Sequence, residues 1–339
     1  MKASRWWGIG VVAAAAGVAA PALAVDIETV PVGNPGNAPD TRYTTAGHGA
    51  VDYTYSIGKY EVTAGQYCAF LNAVAATDTY DLYNPYMWDD PWADFGCRIQ
   101  RHGTSGSYTY SVAADWADRP VNYVSWGDAA RFCNWLENGQ PTGAQDLMTT
   151  EDGSYYLNGA MSDAALMAVT RDPDATWVIP SEDEWYKAAY HKNNGVTGDY
   201  FSYPTSSDSV PSNELTDPDP GNNATFTYSG SQTIGSPYYR TEVGAHENSE
   251  SPYGTFDQGG NVWEWNESIE YVPQFGLYRG LRGGSFDGEY AALRAASSDL
   301  NAASGGRAGL GFRVAVIPEP GTVALLGLGM LAVLRRRWK

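Results

Sequence analysis

The sequence predicts an α+β domain with little regular secondary structure, and three observations carry that reading. Three short segments open with helix-start signals and continue with helical apolar spacing. A few brief runs of aromatic and β-branched residues read as strands. Between them lie long polar, aromatic stretches, 76–118 and 192–250, expected to be ordered loops because loops of that length inside a compact domain are usually functional or ligand-bound. No linker divides residues 49–316, and about 270 residues suffice for a substantial core. That interval holds nine of the 12 tryptophans and shows no tandem repeat.

Along the chain, residues 1–24 read as a secretory signal. Lys2 and Arg5 form the positive start, Trp6 to Ala20 the apolar run, and Ala22-Leu23-Ala24 the small-residue cut before Val25. Residues 25–48, rich in Pro, Gly, Asn and Thr, read as a loose lead-in. Asp52–Tyr60 is the first expected strand, followed by Trp177–Ile179, Arg279–Arg282 and Gly311–Val316. Helices are expected to start at Thr63-Ala-Gly-Gln66, Ser125-Trp-Gly-Asp128 and Ser181-Glu-Asp-Glu184. Each places a hydroxyl at the N-cap and a polar acceptor three residues on, satisfying free backbone N–H groups at both positions. Tyr67, Phe70, Leu71 and Val74 then recur at helical spacing, as do Ala129, Phe132, Cys133 and Leu136, and Trp185, Ala188 and Ala189. These faces are expected in the core, so Cys68 and Cys133 are expected to be packing or disulfide residues rather than nucleophiles.

The segment Asp257-Gln-Gly-Gly-Asn-Val-Trp-Glu-Trp265 reads as a turn entering an extended run, because Gly-Gly disfavours a helix. Alternation would put Gly260, Val262 and Glu264 on one face and Asn261, Trp263 and Trp265 on the other. The carboxylates of Asp257 and Glu264, with backbone carbonyls, are the hard oxygen ligands that calcium takes. A tryptophan-rich core strand with one buried acid is the alternative.

Composition narrows the function classes. Taking away the two ends, with six basic residues and one acid, leaves 15 Lys and Arg against 38 Asp and Glu, about −23. Nucleic acid is not expected as a partner of such a surface, whereas a solvated acidic surface explains it best and divalent cations are compatible with it. Cys68, Cys97 and Cys133 allow one disulfide and one odd thiol in an exported protein, and the sequence does not choose the pair. No CxxC, nucleophile elbow, phosphate loop or dinucleotide fingerprint occurs. Glu264, Glu267, Asp287 and Glu289 could supply paired acids to an enzyme, but no spacing shows two of them converging.

At the far end, Ile317-Pro-Glu-Pro320 leads into the uncharged apolar stretch 321–334 and then Arg335-Arg336-Arg337. Motif, order and position resemble the PEP-CTERM sorting signal of Gram-negative bacteria. The resemblance implies signal peptidase and exosortase as processing partners and transient membrane anchoring through 321–334. It further implies release of the tail (317–339) and delivery to the cell surface or extracellular matrix. A plain tail anchor is the alternative.

Five blocks in fixed order carry a second resemblance. They are Tyr60-Glu-Val-Thr63 with Gln66-Tyr67; Pro120-Val-Asn-Tyr-Val-Ser-Trp126 with Asp128-Ala129; Ile179-Pro-Ser-Glu-Asp-Glu-Trp185; Tyr253-Gly-Thr-Phe-Asp257 into Gly260-Asn-Val-Trp-Glu-Trp265; and Leu281-Arg-Gly-Gly-Ser-Phe286 closing on Gly311-Phe-Arg313. Together they resemble the formylglycine-generating enzyme, or sulfatase-modifying factor, family over about residues 50–316. The resemblance implies an irregular α+β relative of the C-type lectin fold, with short helices and a small antiparallel sheet. It implies a structural calcium held by the Asp257 side chain, the Gly260 and Val262 carbonyls and the Glu264 side chain, and a second such site near Asn223 and Ala224 whose downstream acid has no counterpart here.

Activity does not carry over with the fold. The family's oxidases bind copper(I) through two cysteines shortly after the Arg-Gly-Gly-Ser block, and soft thiolates suit that ion. Here the stretch reads Phe286-Asp-Gly-Glu-Tyr-Ala-Ala-Leu-Arg294, with no cysteine. A copper cofactor and sulfatase maturation are therefore not expected. The frame from Arg282 to Arg313 also resembles the C-type-lectin-like receptors of diversity-generating retroelements, which display a ligand surface there. Asp287, Glu289, Tyr290, Arg294, Asp299 and Asn301 are the expected ligand contacts, of the adaptable kind found in binding loops, with an ordinary polar surface loop as the alternative. The expected function is a calcium-stabilised binding module for extracellular polysaccharide or protein. An enzyme of altered chemistry and a structural matrix component are the alternatives.

Overall fold

A computed structural model describes residues 24–91 and 93–318. The signal segment up to Leu23 and the tail from Glu319 lie outside the described residues. Among the described residues no helix is long and apolar enough to cross a membrane.

The strands are β1 (Thr29–Val32), β2 (Tyr55–Gly58), β3 (Gln100–His102), β4 (Thr109–Ser111), β5 (Trp177–Val178), β6 (Thr227–Tyr228), β7 (Ser231–Gln232), β8 (Trp263–Val272), β9 (Gly276–Arg282), β10 (Asp299–Asn301), β11 (Leu310–Gly311) and β12 (Ala315–Val316). The helices are α1 (Ala64–Val74), α2 (Ala114–Ala117), α3 (Trp126–Glu137), α4 (Asp163–Met167) and α5 (Glu182–Tyr190). One sheet runs β1-β2-β12-β5, so the two ends of the domain lie side by side. A second runs β10-β9-β8-β11, and two small hairpins, β3-β4 and β6-β7, lie in the long loops.

All three expected capping boxes form. Thr63, Ser125 and Ser181 accept from the third helical residue, whose side chain accepts in return from the cap backbone. α1 and α5 bury the expected apolar faces, but α3 is buried at every position except Glu137. A helix covered on all sides needs partners for its polar residues as well. Arg131 pairs with Glu151, and Asn134 donates to the Thr150 and Tyr155 carbonyls. Phe70, Tyr67, Phe132 and Phe312 meet ring to ring where α1, α3 and the C-terminal strands join.

Two expectations need correction. Residues 25–48 are not a loose lead-in. β1 pairs in register with β2, and Asn37 Nδ2 donates to the Gly49 carbonyl at 2.7 Å and to Tyr200 Oη at 2.7 Å. The composition reads as loose because, outside the four residues of β1, side-chain amides and isolated backbone bridges hold this backbone. The alternation expected over 260–265 also fails before Trp263. Asp257, Gly260 and Asn261 have φ of 58°, 94° and 51° and form a left-handed turn, and the pleat begins only with β8.

Candidate functional site

The turn and the start of β8 deliver a compact group of buried charges. Glu264 faces Arg282 across the β8–β9 ladder, yet its side chain reaches Arg313, between β11 and β12. Arg313 Nε donates to Glu264 Oε2 at 2.6 Å and Nη2 to Oε1 at 2.7 Å, with both side chains fully buried. Trp185 Nε1 adds a third donor to Oε2 at 2.7 Å. Asp257 accepts the Gly244 N–H at 2.6 Å, and burial pushes its carboxyl up to about 6. Glu61, just before the α1 cap, completes the group. Its Oε2 accepts from Asn261 Nδ2 at 3.3 Å, and its buried Oε1 has no partner among the described residues. Burial, then Asp257 and Glu264, hold the Glu61 carboxyl well above the usual range.

These residues fit a hard cation in charge and donor type. Two buried acids, Glu61 and Glu264, and the half-buried Asp257 interact around one buried guanidinium, with an orphaned carboxylate oxygen, and such an excess is costly unless protonated or neutralised. Glu264 Oε1 accepts a single bond, so a lone pair remains on it. No three Asp, Glu, His or Cys side chains converge at metal-ligand range among the described residues. A cation here would therefore lean on carbonyls, as the expected set of Asp257, Gly260, Val262 and Glu264 does. Gly260 is indispensable to the turn, because a Cβ there would lie 2.1 Å from the Thr225 carbonyl oxygen.

The expected ligand residues divide. Asp287, Glu289, Tyr290, Arg294 and Asp299 are exposed. Ser285 Oγ donates to Asp287 at 2.6 Å, and Glu289 bridges to Thr227. The Tyr290 ring lies 6.1 Å from that of Tyr228, whose ring also lines a cleft of about 330 Å³ with Asn213 and Glu214. Asp299 stands apart on edge strand β10. Asn301 must be corrected: it is 2% exposed and donates to the Gly305 carbonyl, so it shapes the chain instead of displaying a side chain. The stretch is clamped from below by Arg282, which donates to the Ala295 and Ser297 carbonyls and pairs with Glu182. Cys68, Cys97 and Cys133 are all buried free thiols. Burial pushes Cys68 up to about 11 and raises the other two.

Comparison with known proteins agrees with this architecture. The profile of the sulfatase-modifying factor enzyme 1-like domain matches residues 29–317. The chain belongs to this family. The match starts at β1, which places the N-terminal segment inside the sulfatase-modifying-factor domain. A PEP-CTERM protein-sorting motif matches residues 316–337. The crystal structure of CarF is similar at 21% identity with a TM-score of 0.57, covering 87% of this chain and 99% of that one. Treponema denticola variable protein 1 is similar at 20% identity with a TM-score of 0.53, covering 88% and 98%. No curated protein matches the chain. The fold is the irregular α+β, C-type-lectin-like arrangement of the sulfatase-modifying factor family. The sorting motif marks an exported, surface-sorted protein of a Gram-negative bacterium, recognised by an exosortase.

Glu61 is the site residue that sequence reasoning passed over. It stands in the Tyr60-Glu-Val-Thr block, and the signal was an acid set between residues that both lead into a buried helix.

Proposed function

We propose that this sulfatase-modifying-factor-like domain is a calcium-stabilised binding module for extracellular polysaccharide or protein, without a copper oxidase centre. The single observation that carries the reading is the exposed set Asp287, Glu289, Tyr290 and Arg294, held on a stretch clamped by the buried Arg282. The family's copper thiols would belong on this stretch, and no cysteine follows Cys133. The three thiols present are buried with raised pKa, which disfavours the thiolate that copper(I) needs. Calcium would be held by Asp257, the Gly260 and Val262 carbonyls and Glu264, and would neutralise the buried acids beneath the displayed stretch. The chain's own residues then present carboxylates, a phenol and a guanidinium, which recognise hydroxyl-rich or mixed-charge partners.

The test is a pull-down of the full-length protein against the extracellular polymers of its own host, in calcium and in chelator. Replacing Asp287, Glu289 and Tyr290 together by alanine should abolish capture and leave thermal melting unchanged. Collapse of melting would make the stretch structural, and aldehyde formation on a sulfatase-motif peptide with added copper would make the protein an oxidase.

A further inference from the structure

A second cleft, of about 350 Å³, opens between the N-terminal turn of α3, residues 80–85 and the returning chain at Ser304 and Gly306. None of the residues displayed at 287–299 lines it, so it is a separate site from the one in the proposed function. Aromatic residues crowd one side of it. Tyr80 is half-buried and Tyr83 and Tyr123 are buried in the lining, while Tyr86, 42% exposed, continues the surface with its ring 5.7 Å from that of Tyr123.

Tyr123 is held in an unusual conformation. Its φ is 60°, in the left-handed region that a bulky side chain avoids. The surroundings impose it: its N–H donates to the Arg307 carbonyl and its Oη to Asp90 at 2.7 Å. Gly306 is required beside it, since a Cβ there would come within 2.5 Å of the Tyr123 carbonyl oxygen.

The polar groups are equally fixed. The Arg101 guanidinium lies 4.7 Å from the Tyr83 ring and 4.5 Å from the Tyr108 ring, with Nη1 on Asp78 at 3.2 Å. The Arg131 guanidinium sits 4.6 Å over Tyr80, and Glu151 holds its Nε and Nη2. Arg131 Nη1 has no hydrogen-bond partner among the described residues, so that stacked cation keeps a donor for a ligand, while Arg101 also engages the Tyr110 hydroxyl. Asp81 and Asp128 supply acceptors in the same lining.

Ring faces beside alternating donors and acceptors suit a molecule with apolar C–H faces and a rim of hydroxyls. The charges decide against an anion. Both cations are already paired with acids, two further acids line the cleft, and the whole chain carries −18. We propose that this cleft binds a neutral glycan, its sugar rings stacked on Tyr80 and on the exposed Tyr86 at its edge and its hydroxyls shared between Arg131 and Asp81.

The experiment is calorimetric titration of the purified full-length protein with cellohexaose, xylohexaose and mannohexaose, with hexagalacturonate as the anionic comparison. At least one neutral hexasaccharide should bind. Tyr80→Ala and Asp81→Asn should each weaken it at least tenfold, and Tyr271→Ala, on the β8–β9 hairpin, should not. Asp81 has φ of 53°, which asparagine tolerates, so Asp81→Asn carries the test if Tyr80→Ala fails to fold. The triple alanine variant at 287, 289 and 290 should keep glycan binding, which separates this site from the displayed stretch. No heat with any neutral hexasaccharide, binding of hexagalacturonate alone, or unchanged affinity in both cleft variants would overturn the proposal.

Discussion

Arg313 and Glu264 form a buried, bidentate pair whose worth lies in its completeness. Removing one partner leaves the other charged and dry. Arg313→Met is expected to cost about 3–5 kcal/mol, read as a fall in the urea midpoint at constant slope. Asp128 makes a pH prediction. Burial pushes its carboxyl up to about 7 against a usual 3.8, with Ser125 and Arg131 partly opposing. A carboxyl shifted upward favours the folded state fully only below its unfolded pKa. That contribution drains away as pH rises from about 4 to 7 and stays absent above. Asp128→Asn keeps an acceptor for the Ser125 N–H and does not titrate. Relative to this variant, the wild type should therefore lose on the order of a few kcal/mol between pH 4 and 8, by urea unfolding at each pH. A flat difference would mean that Asp128 is ionised throughout.

The three capped helices make predictions of two sizes. Thr63→Ala removes only a cap and is expected to cost about 1 kcal/mol. Glu184→Gln, at the equivalent third position of α5, should cost clearly more, because Glu184 also holds both Nη atoms of Arg171 and the Tyr53 hydroxyl. Comparable losses would show that the Arg171 network adds nothing to α5. The capping boxes were legible because they are local: four residues decide where an N–H finds an acceptor. The strand alternation over 260–265 was not, because Gly260 accepts its φ of 94° to pass under the Thr225 carbonyl, a neighbour 35 positions away. Gly260→Ala is accordingly expected to leave little folded protein at 25 °C, judged by circular dichroism and soluble yield.

Across the whole domain, the proposed calcium ion would offset a surplus of acid. The proposed calcium ion predicts that free calcium at about 100-fold over its dissociation constant raises stability by about 2.7 kcal/mol. For a domain of this size that is a rise in melting temperature of ~4–5 °C over protein in chelator. Asp257→Asn should abolish the rise, and an identical melting temperature in calcium and chelator would remove calcium from the account. The displayed stretch was legible as a surface from its polar run between two anchors. Asn301 misled because a polar type says nothing of which carbonyl lies near enough to claim it.

The sequence by itself determined the family, the three helices and their first turns, the sorting tail and the lack of thiols after Cys133. Each of these is written in residue types at short fixed spacings, where local hydrogen bonding or a linear motif suffices. Only the tertiary structure decided that residues 25–48 belong to the domain, that Glu61 joins Asp257 and Glu264, and that Tyr80, Tyr123 and Ser304 share one cleft. Those groupings depend on contacts between segments some 20 to 250 positions apart, and in a fold held by irregular loops no period in the chain announces which of them will meet.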